Sequence, residues 1–257
     1  DFNPPSTQTA GLFSAFEPKG TMEEWKKTIN FYNKDGFELH QFVVGTSFGS
    51  PLMQFSPIKC AAMHIYSKDS GLGKTTAMEA GVSVWGKPED LLTYEQDTVN
   101  TRMNRGEIYH SLPLYMDELT NTHGRKLSDL VYQLTGGKQR GRMASGSNTE
   151  RYRGEAWSLL AVTTGNTSVV ERVSITKSMP KAEAQRILEC RVKKMHFETK
   201  EETDIFSAAI KDNYGHAGKE YIQYIMNNIT GVKALLAKVQ QRVDKKEGLT
   251  AENRFWS

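Results

Sequence analysis

The sequence predicts an α/β fold in which helices lead into a sheet and a helical tail follows it. Three observations predict this. An apolar run from Cys60 to Tyr66 leads into the Gly-rich turn SGLGKTT, the pattern of a strand, a tight loop and the first turn of a helix. A second apolar run, Leu112 to Met116, ends in Asp117-Glu118, with helix-like and strand-like patterning between it and the loop. Two more apolar runs, Trp157 to Thr164 and ILECRV after Arg186, precede a change to mixed-charge helical patterning.

At 257 residues the chain is long enough to bury a substantial core, and its 38% hydrophobic and 25% charged residues are ordinary for a globular protein. The net charge of +3 is too small to announce a nucleic-acid partner, so any basic surface must be local. Cys60 and Cys190 both lie in apolar runs and read as small buried hydrophobes in a reducing compartment. No run reaches membrane-spanning length, no signal-peptide pattern opens the chain, and the scattered histidines lack metal-ligand spacing. A cytoplasmic protein is expected. The Pro-rich start at Asp1 and the stop at Ser257, just after a new helix opens, suggest a fragment of a longer protein.

Residues 1–20 are Pro-, Ser-, Thr- and Gly-rich and read as a linker. Thr21 followed by Glu24 is a capping box opening a helix with Trp25, Ile29 and Tyr32 on one face. After the Asp35-Gly36 turn, a more apolar helix runs from Phe37 to about Phe48, and residues 21–56 form a helical cover. The helix after the loop continues through Met78, Ala80 and Val84 to Trp85, where Gly86 and Pro88 stop it. Leu91 to Tyr94 is a short strand candidate, and Asp97 or Thr98 caps a helix running to about Tyr109. Lys126 to Leu134 is amphipathic and closed by Gly136-Gly137, and Val169 to Val173 suits a turn or two of helix. Residues 57–198 make the core. Residues 199–257 make a helical lid, with helices over Asp204–Lys211, Lys219–Asn228 and Val232–Val243 and a fourth beginning near Ala251.

The loop carries the first candidate chemistry. Backbone N–H groups at a helix start form an anion site, and the pattern assigns Gly71, Gly73, Lys74, Thr75 and Thr76 to phosphate binding. Lys74 would reach the β- and γ-phosphates, and the Thr75 hydroxyl would sit on Mg²⁺. The full pattern begins with Gly where this chain has Lys68, and the alternative is a Gly-rich turn that binds no nucleotide. Asp117 and Glu118 follow a buried strand, so both would face the loop, Asp117 holding Mg²⁺ and Glu118 activating water. Taken alone, such an acid pair is a strand reaching solvent; the preceding loop changes that.

Asn166 is the first choice for a polar residue beside the γ-phosphate and Thr164 the second, against a turn Asn and a strand Thr. Arg186 would project into a neighbouring subunit's site or serve as a surface ion-pair partner. The stretch KQRGRMASGSNTERYRGE holds Lys138, Arg140, Arg142, Arg151 and Arg153, suiting a hairpin or loop that contacts nucleic-acid phosphates, or a solvated basic loop.

These residues, with GTMEEW, VVGTSFGSPL, SGLGKTTAMEAGVSVWGKP, LPLYMDEL, LTGGKQRGR, WSLLAVTTGN, NYGHAGKEYI and ENRFW, resemble the superfamily-three-like AAA+ helicase domain of phage and mobile-element primase–helicases. The resemblance covers nearly the whole chain. It implies a five-stranded parallel P-loop NTPase core with a helical lid, a commonly hexameric homo-oligomeric ring, and ATP- and Mg²⁺-driven movement on single-stranded DNA beside a primase or polymerase domain. It places a channel hairpin on Lys138–Arg153, a trans-acting finger at Arg186 (Arg172 and Arg191 are the other positions), and a second sensor at Arg254. Lys68 is the clearest departure. Two other classes remain on sequence grounds, a nucleotide-dependent DNA-binding ring or loader and a P-loop small-molecule kinase; phosphate release without an acceptor separates the last from an ATPase.

Overall fold

In the computed structural model, which describes residues 11–139, 141, 155–176, 184–193 and 197–247, the described strands form one parallel sheet in the order β2-β3-β1-β4. They are β1 (Cys60–Tyr66), β2 (Leu114–Met116), β3 (Leu159–Gly165) and β4 (Ile187–Arg191). The helices are α1 (Met22–Ile29), α2 (Glu38–Gly49), α3 (Lys74–Val82), α4 (Pro88–Leu91), α5 (Val99–Tyr109), α6 (Gly124–Thr135), α7 (Val169–Ser174), α8 (Lys200–Asp212), α9 (His216–Asn227) and α10 (Ile229–Glu247).

Register explains why the chemistry gathers at one edge. Tyr66 lies beside Gly165 and Met116 beside Thr163, so the segments that follow β1, β2 and β3 leave the sheet at nearly the same level. Both faces of the sheet are covered, as buried parallel strands require: α2 packs on α3 and β3, α6 packs on β1 and α7, and α5 packs on β2. Trp157, fully buried, donates its indole N–H to Leu134 O at 2.9 Å and anchors the entry of β3 under the end of α6.

The expected fifth strand is not among the described strands. Leu91–Tyr94 supplies a single parallel bridge, Thr93 to Met116, in which Thr93 N–H donates to Tyr115 O at 3.1 Å and Asp117 N–H to Thr93 O at 2.8 Å. Pro88 pre-sets a helical turn just before it, and Asp97 Oδ2 accepts the Tyr94 N–H at 2.8 Å just after, leaving one residue free to pair. The helix after the loop is also shorter than expected. It ends at Val82, because Ser83 and Val84 turn their carbonyls to the amides of Gly215 and Gly218, at 2.8 Å each.

Within the segment read as a linker, Leu12 and Phe16 pack against the core. Ala15 is buried and its carbonyl accepts the Lys87 N–H at 2.7 Å, while Lys19 forms an antiparallel bridge with Tyr214. The tail helices all begin earlier than the sequence suggested, α8 and α10 also end later while α9 ends at Asn227, and Thr199 caps α8 by accepting the Glu202 N–H at 3.1 Å. An aromatic cluster joins the helices before β1 to the tail: Phe31 stacks on Phe197 with centroids 5.3 Å apart, and Tyr32 on Phe206 at 4.7 Å. Phe197 also lies behind Gly73, so this cluster supports the back of the loop. The helix expected near Ala251 lies outside the described residues.

Candidate active site

The loop between β1 and α3 needs two left-handed residues, and both are glycines: Gly71 and Gly73 each have φ of 75°. Gly73 caps α3, and the helix then continues from Lys74. Lys74 is buried, and its ammonium donates to Asp69 O at 3.2 Å and Ser67 O at 3.4 Å. Lys68 and Thr75 are exposed and Thr76 is half-buried, so Lys68 does not close the loop over Lys74 from within.

Thr75 Oγ1 donates to Asp117 Oδ2 at 3.0 Å, which brings the loop helix to the end of β2. The other carboxylate oxygen, Asp117 Oδ1, accepts the Thr164 hydroxyl in a short hydrogen bond and the Glu118 N–H at 3.1 Å. Glu118 sits in the left-handed region at φ 52°, one of two described non-glycine residues there with His110. That conformation costs backbone energy and turns the Glu118 side chain away from the strand direction toward the turn after β3. There Asn166 Nδ2 donates to Glu118 Oε2 at 3.2 Å. Burial first, and the Asp117 charge second, push the Glu118 carboxyl above the usual range, while Lys74 pulls the other way.

Asn166 and Thr164, weighed as alternatives from sequence, thus both reach the site with different partners: Thr164 holds Asp117 and Asn166 holds Glu118. Sequence reasoning passed over Thr120, which accepts the Asn166 N–H at 3.0 Å, and Ser67, whose carbonyl receives Lys74. It also passed over Arg102, a buried side chain that donates to Tyr94 O at 2.6 Å and steadies the segment paired with β2. Only their chemistry could have flagged them: an Arg inside an amphipathic helix, and a Thr just after the acid pair.

Other candidates are not brought to this edge. Arg186 precedes Ile187, which pairs with Ala62 near the start of β1, and its guanidinium lies 4.6 Å from the Tyr132 ring centroid. It therefore sits at the opposite end of the sheet from Asp117. Arg191 pairs with Tyr66 at the near edge, and Arg172 lies on α7. Lys138 is exposed beyond the end of α6, while Arg140, Arg142, Arg151, Arg153 and Arg254 lie outside the described residues.

ATP with Mg²⁺ is the group the sequence implies, and the residues present fit it. Lys74 rests on two carbonyls at long hydrogen-bond distances, the loop glycines keep side chains out of the cradle, and the pair Thr75–Asp117 offers hard oxygen ligands. Among the described residues no group of three or more His, Cys, Asp or Glu side chains converges, and Mg²⁺ sites of this kind are completed by phosphate oxygens and water.

The sequence profile of a family described as "Domain of unknown function (DUF927)" matches residues 5–154. Among solved structures, SCCmec type IV Cch, described as an active helicase, superposes with a TM-score of 0.68 at 20% identity over 92% of this chain and 43% of its own. The apo C-terminal region of NrS-1 matches with a TM-score of 0.40 at 11% identity over 77% of this chain and 45% of its own. The chain spans less than half the length of either solved chain. The search of curated proteins finds no match. At its level of identity, the likeness to Cch establishes a shared fold.

Proposed function

This chain belongs to the DUF927 family, and from that premise we propose that it is the ATP-hydrolysing motor domain of a DNA helicase or translocase. The observation that carries this is the continuous hydrogen-bonded series Thr75–Asp117–Glu118–Asn166, which joins a phosphate-type loop to an acid pair and a polar turn at one sheet edge. The shared fold with Cch, a protein described as an active helicase, supports the same reading.

In this mechanism the amides of the Gly71–Thr76 loop and the Lys74 ammonium bind the β- and γ-phosphates. Mg²⁺ held by Thr75 and Asp117 would neutralise charge on those phosphates. Glu118, its carboxyl raised by burial, accepts a proton from water as the water oxygen bonds to the terminal phosphorus and the bond to the bridging oxygen breaks. Asn166 holds Glu118 Oε2, which leaves Oε1 for the water. Thr164 fixes Asp117 so that its other oxygen faces Thr75.

Arg186, at the far end of β4 from these groups, would act in the site of a second copy within a ring. Residues 21–56, 57–198 and 199–257 serve as cover, motor core and lid of an intracellular replication protein that moves on single-stranded DNA beside a primase or polymerase domain. Lys138, Arg140, Arg142, Arg151 and Arg153 line its channel, and Arg254 reads the nucleotide from the lid. No described helix is long and apolar enough to cross a membrane.

Phosphate release from ATP without an added acceptor tests the reading. Lys74→Ala and Glu118→Gln should each abolish release, with nucleotide binding surviving in the second. Undiminished turnover in either variant sinks it. Native mass measured with an ATP analogue and single-stranded DNA, then a strand-separation assay on the same sample, distinguishes a helicase from a ring that only clamps DNA.

A further inference from the structure

We propose that His64 is a positioning residue for this hydrolysis, holding the turn that aims Asn166 at Glu118. The proposal rests on the ATPase reading above and names a residue that reading does not use.

His64 is fully buried inside β1, where an aliphatic side chain would pack at lower cost. Its register neighbours are Thr163 on β3 and Glu189 on β4. The ring spans from one strand to the turn that follows it: Nδ1 lies 2.8 Å from Thr163 Oγ1, and Nε2 lies 3.0 Å from Thr167 O. A carbonyl can only accept, so Nε2 carries the proton. Burial holds the imidazole neutral, its pKa lowered to about 4, and Nδ1 therefore accepts from the Thr163 hydroxyl.

Asn166 sits between the two points that His64 controls. On one side, a Cβ built on Gly165 would come 3.0 Å from His64 Cε1 and 2.2 Å from Thr120 Oγ1, so this glycine is wedged between them. On the other side, the Thr167 carbonyl is tethered to Nε2. The next residues are held as well: Glu189 accepts the Ser168 hydroxyl at 2.7 Å and the Val169 N–H at 2.6 Å. With both flanks held, the Asn166 backbone stays where its side-chain amide reaches Glu118 Oε2 at 3.2 Å. The polar choice at position 64 thus serves the turn rather than the core. An aliphatic replacement would fill the strand but release the Thr167 carbonyl and the flank of Asn166 with it.

The test compares the full chain with its His64→Leu and His64→Gln forms, measuring kcat for ATP, nucleotide Kd by direct binding, and thermal unfolding. His64→Leu should lower kcat about tenfold to a hundredfold, the scale of a small misplacement of a reacting group, with Kd changed by less than about threefold. His64→Gln, whose amide N–H can reach Thr167 O, should recover much of the loss. Where His64→Leu does not fold, Thr163→Val, which removes the hydroxyl on Nδ1, should lower kcat at unchanged Kd. Wild-type kcat in the folded Leu form, or in the Val form, overturns the proposal while leaving the ATPase reading intact. So does a parallel loss of kcat and binding that Gln does not rescue. Absence of hydrolysis by the native protein sinks the ATPase reading itself.

Discussion

The Thr75 hydroxyl and the Asp117 carboxylate meet at 3.0 Å, so the first turn of α3 and the first residue beyond β2 are joined by a direct hydrogen bond. Because Asp117 Oδ1 is already occupied by Thr164 and the Glu118 amide, Oδ2 and the Thr75 oxygen form the open pair of hard ligands at this edge. Thr75→Val keeps the volume and removes the oxygen. Nucleotide affinity measured with Mg²⁺ should fall about tenfold or more, and affinity measured in chelator should change little. Equal losses in both conditions would refute the metal role of Thr75.

Tyr115, two residues before Asp117, ties the acid strand to the helical cover. Its buried hydroxyl contacts Ser47 Oγ at 2.6 Å and Thr46 Oγ1 at 3.2 Å and donates to Val43 O at 3.1 Å, and burial pushes its pKa up to about 12. Tyr115→Phe removes one oxygen and leaves the Val43 carbonyl without this donor. A loss of about 1–2 kcal/mol in denaturant unfolding, at unchanged m-value, is expected.

His64 makes stability depend on pH. Its folded pKa lies near 4 against a reference of 6.5, lowered chiefly by burial and also by Lys74. The unfolded chain therefore binds a proton first as pH falls, so stability present above about pH 6.5 is lost toward pH 4, to a depth of about 3 kcal/mol. Raised carboxyls at Glu79, Glu107 and Glu118 act in the opposite sense. The check is accordingly a difference: the unfolding free energy of the native chain should fall more steeply between these pH values than that of His64→Leu. Parallel curves would contradict a neutral buried imidazole.

Gly218 continues the tail's grip on the end of the loop helix that Gly215 starts at Ser83. Its amide donates to Val84 O at 2.8 Å, and a Cβ there would come 2.4 Å from Trp85 Cε3. Gly218→Ala should cost about 1–3 kcal/mol through overpacking, read as a lower midpoint in thermal unfolding. A neutral result would mean that α9 can shift away from Trp85 freely.

Arg140 and Arg142 carry the DNA-binding prediction. Replacing both with Ala should weaken single-stranded DNA binding and flatten its dependence on salt, since each neutralised phosphate contact releases counterions. Binding and salt slope both unchanged would refute the proposed DNA-contacting role of these residues.

What the sequence determined by itself is what depends on near neighbours along the chain. The capping of α1 by Thr21, the span of β1 from Cys60 to Tyr66, and the left-handed Gly71 and Gly73 before Lys74 all follow from side chains a few positions apart. That the acid pair and Asn166 lie at strand ends was also legible, because the ends of apolar strands are marked locally. Only the tertiary structure decided the rest. Pairing Leu91–Tyr94 reduces to one bridge because Pro88 and Asp97 compete for the same backbone, and Ala15 is buried because Gly86 leaves it room. His64 and Thr164 acquire their roles from partners about a hundred and about fifty residues away in the chain, brought to hydrogen-bond distance by parallel register. A hydrogen bond between distant residues leaves no periodicity or spacing behind it, so the chain had to fold before those roles could be read.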